Sequence, residues 1–171
     1  MELKQTHIPY GFISGVVVVI VSLIIYLTGV ELTSWAQYLA FIPFLAGVVM
    51  DCIAYSKAND GFVTFGNVFG SGFKTTMIIT IVIIAWRVIS IYAFPEMKTR
   101  AIEMAHNQLA KNPQMTDEQI DMAMNITRKF YNSITVGSAL LSSLFYGAIF
   151  SLIGAAAARK KGPKPFSSEI F

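Results

Sequence analysis

Few side chains in this sequence have the type and spacing to do chemistry. Arg87 is the one ionisable group inside a long apolar run, and Thr76 and Thr80 share a helical face at i+4, with Arg87 eleven residues after Thr76. A charge within a membrane span is by default a functional-site hypothesis, so Arg87, Thr76 and Thr80 form the candidate intramembrane polar site. Arg87 precedes Phe94 by seven residues, which places it about 10 Å from the end of that run at ~1.5 Å per residue. An arginine can snorkel that far, or meet Glu31 or the Tyr26 hydroxyl at the same level, so an anchoring role outweighs a substrate contact. Charge-coupled transport also needs an acidic or histidine relay in the spans, and past His7 the four runs as bounded below contain none.

Other chemistry-bearing residues fall short for geometric reasons. Met97, Met104, Met115, Met122 and Met124 cluster with His106 between residues 97 and 124, and thioethers can select Cu(I). However, Met97 and Met104 share a helix face from which His106 diverges, so methionine as flexible core filler is the better account. Gly66, Gly70 and Gly72 have neither a preceding strand nor a following Gly-Lys-Ser/Thr, as a phosphate loop requires. No zinc signature, Ser/His/Asp grouping or paired intramembrane carboxylate occurs. The sequence therefore offers no catalytic, cofactor-binding or metal-ligating residue, and the expectation is a protein that is not an enzyme.

The elements that would carry these residues are membrane spans. Of 171 residues 54% are apolar and only 13% charged, about half the charge of an ordinary soluble domain. The apolar excess is gathered into runs over residues 8–29, 32–50, 75–94 and 134–158, each long enough for a transmembrane helix. This predicts an all-α integral membrane protein, a single membrane domain over residues 1–171. The first run is too long for a signal-peptide core and lacks an Ala-x-Ala-like cleavage site, so it reads as a retained span. Trp35 and Tyr38 mark the entrance to the second, and Pro43 predicts a kink near residues 40–43. Asn59-Asp60-Gly61 reads as a turn. Thr64 is a helix cap, after which Phe65, Phe69 and Phe73 form the face of a lead-in continuous with the third span.

Residues 95–133 form the one sizeable element outside the bilayer, a helical hairpin. Pro95 suits a first helical position, Met97, Ala101, Met104, Ala105 and Leu109 repeat at helical spacing, and Asn112-Pro113 stops the run. Thr116-Asp117-Glu118-Gln119 has the form of a capping box opening a second helix with Ile120, Ala123, Met124 and Thr127 on its buried stripe, running straight into the fourth span. Lipid gives helices no hydrophobic drive to associate, so small residues mark the packing seams. Here these are Gly11 and Gly15, Gly66 and Gly70, and the series Ala139, Ser143, Gly147, Ser151 and Ala155. Lys4, Lys57, Lys74 and the tail cluster Arg159-Lys160-Lys161 with Lys164 outweigh the five basic residues of the hairpin. By the positive-inside rule both termini, including the basic tail 159–171, are expected in the cytoplasm. A net charge of +3 then reflects attraction to anionic headgroups, not nucleic acid. Cys52, the sole cysteine, permits no disulfide within the chain.

The Asp60-Gly61-Phe62-Val63-Thr64-Phe65-Gly66 turn, the glycine-containing third span, the Pro95-led hairpin and the small-residue fourth span ending in Lys/Arg together resemble a family of bacterial inner-membrane proteins. That family is catalogued only as a domain of unknown function, number forty-one ninety-nine, and the resemblance covers roughly residues 9–161. It implies a multi-pass inner-membrane helical bundle and transfers no functional residue. The expected role is a non-enzymatic interaction or accessory module presenting the hairpin to a membrane protein or to a second copy of itself. The alternative is a subunit of a small oligomeric transporter or channel, its copies assembled through the Gly11/Gly15 and Ala139-to-Ala155 seams around a path lined by Thr75, Thr76, Thr80 and Arg87.

Overall fold

Local capping chemistry sets where two of the helices begin. A computed structural model describes residues 3–28 and 38–162. Its helices are α1 (His7–Thr28), α2 (Phe41–Ala58), α3 (Phe65–Ala93), α4 (Pro95–Ala110) and α5 (Asp117–Ala157). All except α4 are long and apolar enough to cross a membrane. α3 opens on a reciprocal cap in which Asn67 N–H donates to Thr64 Oγ1 at 3.2 Å and Thr64 N–H donates to Asn67 Oδ1 at 3.1 Å. α5 opens on the capping box, with Gln119 N–H donating to Thr116 Oγ1 and Thr116 N–H to Gln119 Oε1. Asp60 and Gly61 take φ of 55° and 77°, the left-handed backbone that Gly accepts without penalty and Asp tolerates.

Two boundaries differ from expectation. α2 begins at Phe41, after a turn at residues 38–40, so Pro43 falls in the first helical turn. Backbone N–H groups there have no intrahelical acceptor, and proline removes nothing that a kink would need to repair. α2 also continues to Ala58, eight residues beyond the expected end at Met50. Residues 29–37, which hold Glu31, Trp35 and the link between the first two spans, lie outside the described residues. α5 joins the second hairpin helix to the fourth span as expected, with a break in helical geometry at Phe130 (φ −107°, ψ 16°).

The contacts divide the chain into two compact units, Met1–Ile83 with Ser142–Phe171, and Ile84–Leu141. In the first, helices approach closely wherever a glycine faces a small or β-branched side chain. A Cβ on Gly147 of α5 would lie 2.0 Å from Thr76 Cγ2 of α3, and one on Gly47 of α2 would lie 2.0 Å from Ser14 Oγ of α1. On α1, Gly11 and Gly15 receive Ile78 and Val82 of α3. Cys52 Sγ sits between Gly72 and Gly154, 2.6 and 2.7 Å from where their Cβ atoms would be. Phe44, Val48 and Ile79 with Val18 fill one core cluster, and Cys52, Tyr55, Val63, Val68, Ala155 and Ala158 the other.

The end of this unit that carries both the N-terminal segment and the basic stretch after α5 is tied through the 59–61 turn. Lys4 N–H donates to Asn59 Oδ1, Asn59 Nδ2 donates back to Lys4 O at 3.2 Å, and Lys161 N–H donates to Gly61 O at 2.7 Å. Lys160 caps the end of α5 by donating to the carbonyls of Ala155 and Ala158, and its ammonium also lies over the Phe65 ring.

Overpacking a tight contact costs about 1–3 kcal/mol. Gly47→Ala and Gly147→Ala should therefore each lower the thermal unfolding midpoint in detergent by several degrees, whereas Gly70→Ala, whose Cβ meets nothing within 4 Å, should leave it unchanged. Equal midpoints for all three variants would show that these contacts do not hold the bundle.

Candidate functional site

Because α2 runs past Met50, it carries Asp51 into the bundle, where the carboxylate is fully buried. Thr6 Oγ1 donates to Asp51 Oδ1 at 2.5 Å from the segment leading into α1, and Ser71 Oγ donates to Asp51 Oδ2 at 2.8 Å from α3. Among the described residues no lysine, arginine or histidine forms an ion pair with it. Two short hydroxyl hydrogen bonds, of the length that a carboxylate draws from O–H donors, satisfy the group instead. α3 continues the polar character inward. Thr75 Oγ1 donates to Ser71 O at 3.2 Å, while the buried hydroxyls of Thr76 and Thr80 have no hydrogen-bond partner among the described residues. A buried hydroxyl left open costs about 1–3 kcal/mol.

Ser71 is also part of the wall of an open cavity of about 540 Å³ lined by Leu3, Gln5, His7, Tyr55, Gly66, Asn67, Gly70, Ser71 and Lys74. Gly66 and Gly70 contribute the space, since a Cβ on either would meet no other helix. This corrects their assignment as packing glycines: they flank a hollow, and no neighbouring backbone fills it. Among the described residues the polar groups on the wall are an amide pair, an imidazole, a phenol, a hydroxyl and an ammonium, with no carboxylate. A second cavity of about 530 Å³, between Pro9, Ile13 and Val17 of α1 and Pro43, Ala46 and Met50 of α2, is apolar and uncharged.

The unit Ile84–Leu141 has a different character. α4 contains no buried residue. Its stripe of Met97, Ala101, Met104, Ala105 and Leu109 is half-buried, and Ile120 and Met124 of α5 are buried with Ala123 and Thr127 partly so, as the periodicity requires. Lys98 Nζ lies 5.4 Å from the Tyr131 ring centre. What the periodicity did not separate is a second apolar stripe, Met122, Ile126, Phe130 and Ile134, at successive i+4 positions and exposed at 68, 52, 47 and 47%.

The structure divides the residues singled out by sequence. Thr76 and Thr80 are buried, with Thr76 pressed against Gly147, whereas Arg87 is exposed in the other unit and hydrogen-bonds neither threonine. Gly11, Gly15, Ser143, Gly147, Ser151 and Ala155 are buried, and Ala139 is half-buried. Of the hairpin methionines, Met124 is buried and Met122 exposed, and His106 is exposed; among the described residues no three His, Cys, Asp or Glu side chains group as a metal site would need. Sequence reasoning passed over Asp51 because an acid normally ends an apolar run. The available signal was the apolar chain on both sides of it, Val48-Val49-Met50 and Cys52-Ile53-Ala54.

Removing one hydroxyl from Asp51 leaves a buried carboxylate oxygen unsatisfied, so Thr6→Val and Ser71→Ala should each destabilise by about 1–3 kcal/mol. Thr76→Val and Thr80→Val, which delete unpartnered hydroxyls at constant shape, should be neutral or stabilising. Thermal unfolding of the four variants checks the contrast, and a loss of stability in the Thr80→Val protein would mean that its hydroxyl is engaged.

Comparison with known proteins bears on the whole chain. No curated protein and no solved structure matches it. The model of the family described as Protein of unknown function (DUF4199) matches residues 9–160, nearly all of both units. The chain, a multi-span membrane protein of four apolar helices with a short fifth between the third and fourth, therefore belongs to the DUF4199 family.

Proposed function

We propose that the protein is a non-enzymatic accessory module of the bacterial inner membrane, whose hairpin engages another integral membrane protein. The observation that carries this reading is the exposed stripe Met122, Ile126 and Phe130 of the hairpin, beside an α4 with no fully buried residue. Contiguous exposed apolar surface of this kind marks an interaction site. A membrane surface is the poorer occupant. Interfacial helices are rich in Lys and Arg on their polar face, whereas residues 95–133 balance five acidic against five basic side chains. The transporter or channel alternative draws support from Asp51, the acidic group that the spans were expected to lack. Against it, Gly11 and Gly15 are occupied by α3 and Gly147 by Thr76, so two seams proposed for self-assembly are taken up within one chain.

Both termini are proposed to face the cytoplasm. The hydrogen bonds from the 59–61 turn to Lys4 and Lys161 bring the start and end of the bundle together, and the Arg159-Lys160-Lys161 cluster beside them follows the positive-inside preference.

A photo-crosslinking residue at position 122 or 126, in native membranes, should yield one discrete protein adduct. Ile126→Glu should abolish it while leaving insertion and thermal midpoint unchanged. Adducts to lipid alone would refute the module reading, and an adduct of twice the chain mass would identify a second copy as the partner. The orientation has its own test. Cys52 is buried, so a cysteine at Asn112 should be the chief site labelled by an impermeant maleimide in intact spheroplasts; protection there would reverse the topology.

A further inference from the structure

The hairpin makes no use of the cavity beside Asp51, yet the chemistry of its wall is specific. Among the described residues its one full charge is the Lys74 ammonium, joined by donors from Asn67 and Gln5, the Tyr55 hydroxyl and the His7 imidazole. Asp51 does not open into it. Each carboxylate oxygen is covered by a hydroxyl and the side chain has no exposed surface, so a cation entering the cavity would meet Lys74 before any negative charge. An oxyanion would meet donors, in a hollow kept open by Gly66 and Gly70.

Ser71 links the two regions. While Asp51 is ionised, the single Ser71 proton is committed to Oδ2, and the serine can offer the cavity only lone pairs, which repel an anion. Where Asp51 is replaced by asparagine, the amide N–H becomes the donor in the hydrogen bond to Ser71. The Ser71 proton is then free to turn toward the cavity. Neutralising position 51 thus removes a negative charge behind the wall and converts its nearest hydroxyl from acceptor to donor.

We propose that this cavity is an oxyanion-binding site whose affinity is set by the charge of Asp51 through Ser71. The ligand chemistry is a phosphate- or sulfate-like group, carried either by a lipid headgroup or by a small free anion. The other titratable and charged groups around Asp51 are His7, Cys52 and Tyr55, with Lys74 on α3 and Lys160 beyond α5. Lys160 is engaged by the carbonyls of Ala155 and Ala158, and Cys52 is enclosed by Gly72 and Gly154.

The experiment uses the full chain in phosphatidylcholine nanodiscs, titrated calorimetrically with sulfate, whose charge is constant between pH 8 and 4. Parallel native mass spectrometry follows phosphatidylglycerol retained from mixed nanodiscs. Sulfate binding that Lys74→Gln weakens about tenfold or more, the scale of a lost charge-assisted contact, identifies a free-anion site. Phosphatidylglycerol retention lost in the same variant identifies a headgroup site. Asp51→Asn should bind more tightly than its parent, and in Ser71→Ala the Asp51→Asn effect should shrink severalfold. Absence of both ligands, indifference to Lys74→Gln, or equal affinity of the Asp51→Asn protein and its parent would overturn the proposal. Lys74 is exposed, so its variant should keep the parental thermal midpoint and remain interpretable if an Asp51 variant does not fold.

Discussion

The structure depends on how closely helix backbones can approach where lipid supplies no hydrophobic drive. Packing must come from van der Waals contact and interhelical hydrogen bonds, and both require short distances. At five interhelical sockets a glycine gives up its side-chain space to a neighbour: Gly47 to Ser14, Gly147 to Thr76, Gly72 and Gly154 to Cys52, Gly11 to Ile78 and Gly15 to Val82. Apart from the aliphatic partners of Gly11 and Gly15, the incoming side chains are small and polar or polarisable. This explains why residues of modest hydrophobicity, including Ser151, Thr75 and Thr76, are among the most deeply buried in the protein.

The polar centre at Asp51 follows from that same approach. A carboxylate on α2 can be reached by a serine on α3 and a threonine ahead of α1 only if the three backbones are close, because Ser and Thr hydroxyls extend little beyond Cβ. Long cationic side chains are not needed. The centre is consequently neutral apart from its own charge, and it exchanges one hydrogen bond with the cavity wall through Ser71. Removing an ionised carboxylate from water is expensive unless its lone pairs are satisfied, and here Thr6 and Ser71 meet that requirement directly.

Much of the architecture was legible in the sequence, for reasons that differ between elements. The starts of α3, α4 and α5 are encoded locally in Thr64, Pro95 and the Thr116–Gln119 box, and local hydrogen bonds do not depend on the rest of the fold. Gly11, Gly15 and Gly147 were legible as packing residues because a glycine at a helix interior costs stability and needs a contact to offset it. The same reasoning failed at Gly66 and Gly70, since a spacing of four records that two residues share a face without recording what stands opposite. It failed at Asp51 for the converse reason: hydropathy treats an acid as a boundary, and only the positions of Thr6 and Ser71, 45 and 20 residues away, make its burial tolerable. The second stripe of the hairpin was hidden because Met122 and Ile126 flank the buried Met124, and a period of 3.6 does not by itself say which of two apolar faces is covered.

Glycine usage separates the two units in a way that bears on what each can do. All 12 glycines lie outside residues 95–133, so the hairpin has none of the sockets that close the bundle. Its buried and half-buried stripes combine Ile120 with Met97, Met104 and Met124, and methionine adapts to an irregular surface. The bundle is built for a few exact backbone distances, and these keep a buried acid and its hydroxyl partners in place beside a permanently open hollow. The hairpin is built to leave one apolar face uncovered while tolerating variation in what covers it. Rigid spacing suits selection of a small ligand by a few fixed donors, and adaptable apolar surface suits contact with another protein. The division of labour proposed above, an oxyanion site in the bundle and a partner surface on the hairpin, draws on these two kinds of packing.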